Sequence, residues 1–324
     1  MSVMLVTGGA GFIGSHLVDR LVRQGERVRV LDNFDTGKRQ NLDGSIEQID
    51  LIEGDIRNMD TVRAAMRDVG AVFHLAAVGS VPRSIDDPLT TDGINVTGTL
   101  NLLVAARDAK VRRFVFSSSS SVYGDTTVMP QHEDLPCKPI SPYGVTKLVG
   151  EQYCRVFHST YGLETFSLRY FNVFGPRQDP NSQYAAAIPL FVSALLRDEQ
   201  PTIFDDGEQS RGFTYVDNVV DANLLAAKAP NACGQTINIS SATSVSVNQL
   251  MREIRAVLEK EHIEPRYVDP RPGDIKHSLA DVTLAGKLLG FEPTIDLKQG
   301  LQKALSWYRE NLAQDQEPSP STRR

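Results

Sequence analysis

The segment 3–14, which reads VMLVTGGAGFIG, constrains the fold of this chain more than any other. An apolar run leads into a turn of glycines, and the amphipathic stretch SHLVDRLVRQG follows. In such a turn Gly8 permits the tight bend, Gly11 lets the backbone approach a pyrophosphate, and Gly14 lets helix and strand pack closely. The helix N-terminus adds N–H donors and a partial positive charge. The segment therefore predicts a dinucleotide site.

Short β-branched runs alternate with longer amphipathic stretches up to about residue 175. The runs at 3–7, 28–31, 71–74 and 114–117 are typical of strands, and the stretches at 14–24, 59–67, 97–109 and 142–161 have helical spacing. Crossovers of this length join parallel strands in right-handed βαβ units. The pattern predicts an α/β fold with a doubly wound parallel sheet and helices on both faces.

After Phe174 the texture changes, because Gly-Pro, Asp-Pro and Asp-Gly pairs separate shorter elements. We expect a main domain over 1–175 and a smaller α/β lobe over most of 176–313, with some chain returning to the main domain. The polar segment 314–324 is predicted to be disordered.

Composition argues against several classes of protein. The hydrophobic fraction is 41%, but no apolar run approaches the roughly 20 residues that cross a bilayer. A net charge of -6 without clustered cations argues against a nucleic-acid partner. The first residues lack a basic leader, so we expect a cytoplasmic protein. Cys137, Cys154 and Cys233 are widely spaced and odd in number, which favours reduced thiols over a disulfide or a metal site.

Two carboxylates follow apolar runs and are candidates for contacts to adenosine. Asp32 ends the run RVRVLDN, where a carboxylate accepts hydrogen bonds from the ribose hydroxyls and repels a 2′-phosphate. This favours NAD over NADP, although Lys38 and Arg39 nearby leave NADP open. Asp55 in GDIRN either meets the adenine amino group or caps the helix that follows. The residues alone leave both roles open for Asp55.

Tyr143 and Lys147 stand four residues apart in SPYGVTKLVGEQY and should share one helix face. A nearby ammonium lowers the pKa of a phenol, so Tyr143 is a candidate base. The run RFVFSSSSSVYG would bring Ser119 to the carboxyl edge of the sheet, where its hydroxyl can relay a proton. Alone, the pair could be a surface pair and the serines a polar loop. The preceding dinucleotide pattern makes them informative.

These residues resemble the extended short-chain dehydrogenase/reductases, specifically the nucleotide-sugar epimerases. The matching segments, which extend over about residues 3–308, are TGGAGFIGSH, LDN, GDI, HLAA, NVTGTLNLL, SSSSSVYG, YGVTK, LRYFNVFGPRQDP, SRGFTYVDN and GDIKHSLAD. The last four look most like bacterial UDP-N-acetylglucosamine 4-epimerases. The resemblance implies a Rossmann-type domain over 1–175 that binds NAD and carries the catalytic residues, and a lobe that binds a UDP-sugar.

The resemblance also implies residue roles. Tyr143 would be the base, Lys147 would hold the nicotinamide ribose, and Ser119 would orient the sugar hydroxyl. A transient 4-keto sugar would rotate before hydride returns, so NAD should stay tightly bound. Besides the glycines and Asp32, the implied cofactor contacts are Phe12, Ile13, Asn33, Thr36, Gly37, Asp55, Ile56, Leu75, Ala76, Ala77, Asn95 and Tyr170. The implied substrate contacts are Ser119, Ser120, Ser121, Tyr143, Asn172, Ala187, Ile188, Arg211, Arg271 and Ser278.

Several related reactions remain to be separated. Dehydratases and decarboxylases of this family carry a carboxylate directly before Val-Tyr-Gly, where this chain has Ser120 and Ser121. This favours an epimerase. A UDP-glucuronate-type epimerase stays open because Arg83 could pair with a carboxylate at carbon 6. A protein that binds NAD only as a sensor commonly loses the tyrosine or the lysine, and both are present here.

The identity of the sugar depends on Ser278 in KHSLAD. Galactose-restricted epimerases resemble one another in carrying a bulky tyrosine there, and a small side chain leaves volume for an N-acetyl group. We therefore expect turnover of UDP-GlcNAc and UDP-GalNAc, with UDP-glucose and UDP-galactose as further candidates. The apolar faces of 97–109 and 143–161 could pack across a two-fold axis or under the C-terminal lobe. We expect a homodimer.

Overall fold

The computed structural model describes residues 2–179, 187–230, 233–270 and 276–314, with side chains up to residue 311. The strands are β1 Val3–Thr7, β2 Arg27–Asp32, β3 Ile49–Glu53, β4 Val69–His74, β5 Arg113–Ser119, β6 Glu164–Tyr170, β7 Val173–Phe174, β8 Thr202–Phe204, β9 Ser210–Arg211, β10 Thr214–Tyr215, β11 Gln235–Ile239, β12 Val245–Ser246, β13 Arg266–Val268 and β14 His277–Ser278.

The α-helices are α1 Phe12–Arg23, α2 Met59–Ala65, α3 Val81–Asp86, α4 Pro88–Asp92, α5 Thr99–Asp108, α6 Pro142–Tyr161, α7 Ala187–Leu196, α8 Val216–Lys228, α9 Val247–Leu258, α10 Thr283–Leu289 and α11 Leu297–Gln314. Single 3₁₀ turns occur at Arg39–Leu42, Ile46–Gln48 and Ser120–Val122, and a π-helical turn spans Gly93–Gly98. Within these ranges no helix combines the length and apolar character needed to span a bilayer.

Seven parallel strands form the main sheet, in the order β11-β6-β5-β4-β1-β2-β3. This order confirms the predicted doubly wound α/β fold. The winding direction reverses between β1 and β4, and the carboxyl ends of these two strands open the crevice in which such sheets bind ligands.

Both faces of the sheet are covered, which explains why its central strands read as continuous apolar runs. Leu5 of β1 packs among side chains of α2, α5 and α6, whereas its neighbour Val6 packs among those of α1 and α8. A third cluster, centred on Phe174 and Tyr308, joins α7, α9 and α11 in the second half of the chain. This cluster is the core of a smaller lobe that also contains the two- and three-stranded sheets.

Several elements differ from the sequence expectation. β6 and β11 were not predicted as strands, because β6 contains the polar letters ETFSLRY and β11 lies far along the chain. β11 nevertheless pairs with β6 at the edge of the main sheet. The helix predicted over 97–109 is preceded by the π-helical turn Gly93–Gly98. Of the predicted disordered end, Gln314 closes α11, and 315–324 lie outside the described residues.

Helix α6 lies very close to β5, and a glycine allows this approach. A Cβ added at Gly150 would lie 2.4 Å from Cζ of Phe116, a ring that is fully buried in the sheet. The ring cannot retreat, because it packs between α6 and the side chains of β4. Gly150 therefore sets the distance between the helix that carries Tyr143 and the strand that carries Ser119.

We expect Gly150→Ala to lower the free energy of unfolding by about 1–3 kcal/mol, because overpacking exceeds the helix propensity that alanine adds. Gly286→Ala in α10 is the matched control. Its added Cβ would have only Phe291 O, at 3.7 Å, within contact range. That variant should be neutral or slightly more stable. Urea unfolding measures both, and a Gly150→Ala protein as stable as the parent would contradict this packing.

Candidate active site

A cleft of about 490 Å³ opens at the carboxyl ends of β1 and β4. It is lined by every predicted cofactor residue except Asn95: Gly8, Gly11, Phe12, Ile13, Gly14, Asp32, Asn33, Thr36, Gly37, Asp55, Ile56, Leu75, Ala76, Ala77, Tyr143, Lys147 and Tyr170. Residues from the first 175 positions that sequence reasoning did not assign, among them Val78, Ser80, Ser117 and Ser118, line it too.

The glycine turn is a cradle that side chains would fill. Gly8 has a φ of +70°, and a Cβ there would meet Ala76 N at 2.7 Å, so the turn and the β4 loop touch through bare backbone. A Cβ on Gly14 would lie 2.1 Å from Gly8 O. Any side chain at position 14 would therefore keep helix α1 from packing this closely against the turn after β1. At Gly11 the nearest atom is Gly8 O at 3.1 Å. The space above this turn suits a pyrophosphate on the N-terminus of α1.

Asp32 is buried and its two oxygens are already oriented. Oδ2 accepts the backbone N–H of Ala10 at 2.9 Å, and Oδ1 accepts that of Phe34 at 2.8 Å. Burial raises the pKa of Asp32, and these two hydrogen bonds oppose the rise. Each oxygen keeps acceptor capacity for a ribose hydroxyl.

The two cations that left NADP open have other partners. Lys38 Nζ lies 3.3 Å from Asp179 Oδ2. Arg39 forms an ion pair with Glu53 and stacks over the Phe34 ring. Both are thus engaged with protein groups, and the carboxylate of Asp32 dominates this end of the cleft.

Of the two expected roles of Asp55, the structure contradicts the helix cap, and the contact with the adenine amino group stays a prediction. Its carboxylate accepts from Arg57 Nη2 at 2.7 Å and from the Arg57 backbone N–H at 2.8 Å, which lowers the pKa of Asp55. The following helix is capped by Asn58, whose side chain accepts from two backbone amides. Asp55 therefore does not cap α2, and it lines the cleft with its charge held by Arg57.

Asn95 lies behind the cleft wall, which corrects the expectation that it lines the cofactor. Its Oδ1 accepts the Val78 N–H at 2.8 Å, while Nδ2 donates to Val78 O at 3.2 Å and to Thr146 Oγ1 at 3.0 Å. The residue is buried, and its amide ties the β4 loop to helix α6. Asn95 supports the wall rather than forming its surface.

A buried histidine continues this network to the glycine turn. Thr99 Oγ1 donates to Asn95 O at 2.6 Å, so it accepts from His74 Nε2, and His74 Nδ1 accepts from Thr7 Oγ1. Burial lowers the pKa of His74 to about 3, and the ring stays neutral near pH 7. The chain of hydrogen bonds joins β1, β4 and the π-helical turn.

Tyr143 is placed by the start of α6. Ser141 caps the helix by accepting the Gly144 N–H, and Pro142 occupies the first helical position, where its missing N–H is harmless. Ser84 Oγ accepts the Tyr143 N–H at 3.0 Å. Lys147, one turn on, donates from Nζ to Ser117 O at 2.7 Å and lies 5.8 Å from the centre of the Tyr143 ring. Both side chains line the cleft.

The electrostatics of the pair differ from the sequence expectation. Burial raises the pKa of Tyr143, and a hydrogen bond with Ser119 offsets part of the rise. Burial also lowers the pKa of Lys147 to about 8, against the opposing charge of Glu151. The sequence predicted that Lys147 lowers the pKa of Tyr143, whereas burial is the largest influence on Tyr143 and raises its pKa. The effect of Lys147 on the phenol stays a prediction.

The serine run divides by side-chain direction. Ser117 and Ser118 line the cleft, and Ser117 Oγ is 3.0 Å from Tyr170 Oη. Ser119, Ser120 and Ser121 are not on the cleft lining. Ser119 Oγ accepts the Ser121 N–H and donates to the Ser121 hydroxyl, so it caps the 3₁₀ turn that contains Ser120 and Ser121. The Ser119 hydroxyl is also the polar group that lowers the pKa of the Tyr143 phenol.

A second cavity of about 270 Å³ lies in the smaller lobe. Four predicted substrate residues line it: Asn172, Ala187, Ile188 and Arg211. Gln178 lines both cavities and so separates them. Ser278 is not on either lining; it is buried on β14 beside Arg211 of β9. Arg271 lies outside the described residues.

Sequence reasoning also missed the segment that bounds the cleft on the side of the smaller lobe. Arg177, Gln178 and Asp179 line the cleft, and Arg177 Nη2 lies 2.7 Å from Asp19 of α1. The segment follows FNVFGP directly, so its only sequence signal was its place in a matching block. Its folding back over α1 depends on contacts distant in the sequence.

Comparison with known proteins identifies close relatives. Residues 4–240 match the family described as "NAD dependent epimerase/dehydratase family". The chain is 39% identical over 309 residues to UDP-glucose 4-epimerase of Mycolicibacterium smegmatis, covering 94% of this chain and 98% of the relative. UDP-N-acetylglucosamine 4-epimerase from Methanobrevibacter ruminantium, solved with UDP-N-acetylmuramic acid, superposes with a TM-score of 0.91 at 42% identity, covering 95% and 98% of the two chains. UDP-glucose 4-epimerase from Thermotoga maritima gives 0.91 at 39%, covering 96% and 99%.

We expect Asp32→Asn to weaken NAD binding by about 10–100-fold, because it removes a charged acceptor and turns one oxygen into a donor that faces a backbone N–H. Asp50→Asn is the matched control, since Asp50 lies on the adjacent strand β3 and pairs with Arg29 outside the cleft. Calorimetric titration of NAD into the cofactor-depleted protein measures both. Equal affinity in Asp32→Asn and the parent would exclude a ribose contact.

Proposed function

Because the chain belongs to the NAD dependent epimerase/dehydratase family, we propose that it is a UDP-hexose 4-epimerase, an isomerase that interconverts UDP-GlcNAc and UDP-GalNAc and also UDP-glucose and UDP-galactose. The family description agrees with the predicted cofactor, NAD. The observation that carries the proposal is the placement of Tyr143 and Lys147 in the dinucleotide cleft, with Lys147 Nζ 5.8 Å from the centre of the Tyr143 ring.

The glycine turn and Asp32 would hold a bound NAD, which would supply the hydride acceptor. Tyr143 then takes the proton of the carbon-4 hydroxyl, and Ser119 orients that hydroxyl. Lys147 holds positive charge beside the developing phenolate. The resulting 4-keto sugar turns over while its nucleotide stays bound, and Tyr143 returns the proton after carbon 4 is reduced on its other face.

The second cavity supports this sequence of events. Arg211 lines it, and an arginine fork suits phosphate oxygens. The ring of Phe213 and the apolar side chain of Ile188 supply apolar contacts for a nucleobase. A nucleotide held here would leave the sugar near Gln178, between the two cavities. We propose that the lobe of 176–313 anchors the UDP group while the main domain carries the chemistry.

A dehydratase or decarboxylase is disfavoured by the charges around β5. The acid or base that those reactions add would precede Val122, where Ser120 and Ser121 stand. The carboxylate that does reach the serines, Glu151, is buried in an ion pair with Arg169 and bonds Ser118. It is therefore held as an anion away from the sugar and cannot serve as the extra acid.

A uronic-acid substrate is disfavoured by the pairing of Arg83. This arginine lines the cleft, as the alternative requires, but its Nη2 lies 2.8 Å from Asp35 Oδ2. A carboxylate at carbon 6 would have to compete with Asp35. The neutral hexoses avoid this competition.

Similarity to the Methanobrevibacter enzyme supports an N-acetylated sugar. The choice of an N-acetylated sugar depends on the small side chain of Ser278. This residue lies beside Arg211, which lines the second cavity, and is not itself on the lining. We also propose a homodimer, since Val145, Val156 and Tyr161 leave apolar surface exposed on α6. Sedimentation velocity should then report twice the chain mass, and a monomer would exclude it.

Product analysis with a panel of UDP-sugars and no added NAD tests the proposed reaction. The purified protein should invert carbon 4 of UDP-GlcNAc, and Tyr143→Phe should lose at least about 100-fold in kcat because the base is missing. Bound NAD should stay unchanged in that variant. A sensor protein would show bound NAD and no inversion in either form. An unsaturated or decarboxylated product would show that the protein is a dehydratase or a decarboxylase instead of an epimerase.

Ser278→Tyr tests the choice of sugar. The larger side chain should reduce kcat/KM for UDP-GlcNAc by tenfold or more, on the order of 1.4 kcal/mol, while UDP-glucose turnover falls much less. Ser246→Tyr on β12, the opposite edge strand of the same three-stranded sheet, controls for disturbance of this small sheet. Parallel losses for both sugars in Ser278→Tyr would show that position 278 does not select the substituent at carbon 2.

A further inference from the structure

Helix α6 presents three polar side chains to the end of β5, at positions 143, 147 and 151. Their spacing of four residues puts them on one face of the helix. Lys147 Nζ donates to Ser117 O at 2.7 Å, and Glu151 Oε1 accepts from Ser118 Oγ at 2.5 Å. Two consecutive serines, Ser117 and Ser118, are thus each held by a side chain of α6. Of the three α6 side chains at positions 143, 147 and 151, Glu151 is the one without a role in the proposed reaction.

Glu151 is itself fixed from the next strand. Arg169 of β6 donates from Nε to Oε1 and from Nη2 to Oε2, both at 2.8 Å, so the pair is bidentate. The side chains of Arg169 and Glu151 are 5% and 2% exposed. Arg169 is the register partner of Ser118, and its guanidinium also contacts Cys137 Sγ at 3.1 Å and the Tyr123 ring. The carboxylate therefore joins α6, β5 and β6 at one point.

Lys147, Arg169 and Glu151 are the charged groups at the centre of this region. The titratable groups around them are Tyr143 and Cys154 on α6, His74 on β4, Tyr170 on β6, and Tyr123, Glu133 and Cys137 in the segment before α6. Burial raises the pKa of the tyrosines, the thiols and Glu133, and it lowers that of His74. Among the described residues, Glu151 is the carboxylate that pairs with Arg169.

We propose that Glu151, backed by Arg169, is a positioning residue for the epimerisation: it holds the Ser118 end of β5 against α6 and keeps Lys147 protonated in the dry cleft. The inference rests on the proposed function, because it assigns a part in that reaction. Glu151 lines neither cavity, so it acts through Ser118 and Lys147 and touches no substrate. Burial pushes the pKa of Lys147 to about 8 even with Glu151 present, which leaves little margin at neutral pH.

The first test is the pH profile of kcat in Glu151→Gln. Without the anion, Lys147 should lose its proton about one pH unit earlier, so the alkaline limb moves down and kcat near pH 8 falls about fivefold. KM should change little. Glu151→Asp, which keeps the charge, should retain the parental limb with a lower kcat. Glu151→Gln/Arg169→Met, which removes both charges, should bring the limb back toward the parent and guards against a single variant that fails to fold.

The second test does not need turnover. Competitive labelling of Lys147 with acetic anhydride, quantified by mass spectrometry across pH, reports the protonation of this amine directly. Its midpoint should fall in Glu151→Gln and recover in the double variant. A Glu151→Gln protein with an unchanged midpoint and an unchanged alkaline limb, but a uniformly lower kcat, would overturn the proposal and leave Glu151 a packing residue. If the parent chain inverts no UDP-sugar, the proposed function fails, while the labelling still decides whether Glu151 holds the proton on Lys147.

Discussion

The hydrogen bond from Lys147 Nζ to the carbonyl of Ser117 is the interaction on which the site depends. It ties the catalytic helix α6 to the carboxyl end of β5, at the edge of the sheet where the winding reverses. Gly150 permits the close approach, since any side chain there would strike Phe116. Ser141 and Pro142 decide where α6 begins, so Tyr143 falls in its first turn and faces the cleft.

Burial works against both members of the pair that we propose to be catalytic. It raises the pKa of the Tyr143 phenol and lowers that of the Lys147 amine, so each is pushed toward its neutral form. The proposed reaction needs the opposite forms, a phenolate and an ammonium. Neighbouring groups must therefore supply the charge stabilisation that water cannot, and Ser119 and Glu151 are placed to do so. The same dry surroundings strengthen each of these interactions.

Local patterns made much of the site predictable. The glycines of the first turn, Asp32 after β2, and the four-residue spacing of Tyr143 and Lys147 are each read within one strand, turn or helix. The doubly wound sheet followed from the alternation of apolar runs and amphipathic stretches. What failed depends on residues far apart in the chain. β11 joins β6 across more than sixty positions, and Asn95 turns its amide to Val78 instead of the cleft. The pairing of Glu151 with Arg169 exists only because α6 and β6 are packed together.

The same distinction applies to the pKa values of Tyr143 and Lys147. Sequence spacing indicated that Lys147 lies near Tyr143, and it does, but the pKa of each group also depends on how much water surrounds it. Desolvation is a property of the assembled fold, and no short pattern reports it. The position of Ser278 is a similar case, since its separation from the cavities follows from the register of β14 with β9.

The central claim is that one carbon of the sugar gives up a hydride and receives it back within a single enclosed site. Turnover of UDP-GlcNAc carrying deuterium at carbon 4, in ordinary water and without added NAD, tests this most directly. The UDP-GalNAc product should keep its deuterium at carbon 4, as mass spectrometry and proton NMR would show. Product that has lost the label to solvent would contradict it, because carbon 4 would then have been inverted through a solvent-exchanging proton.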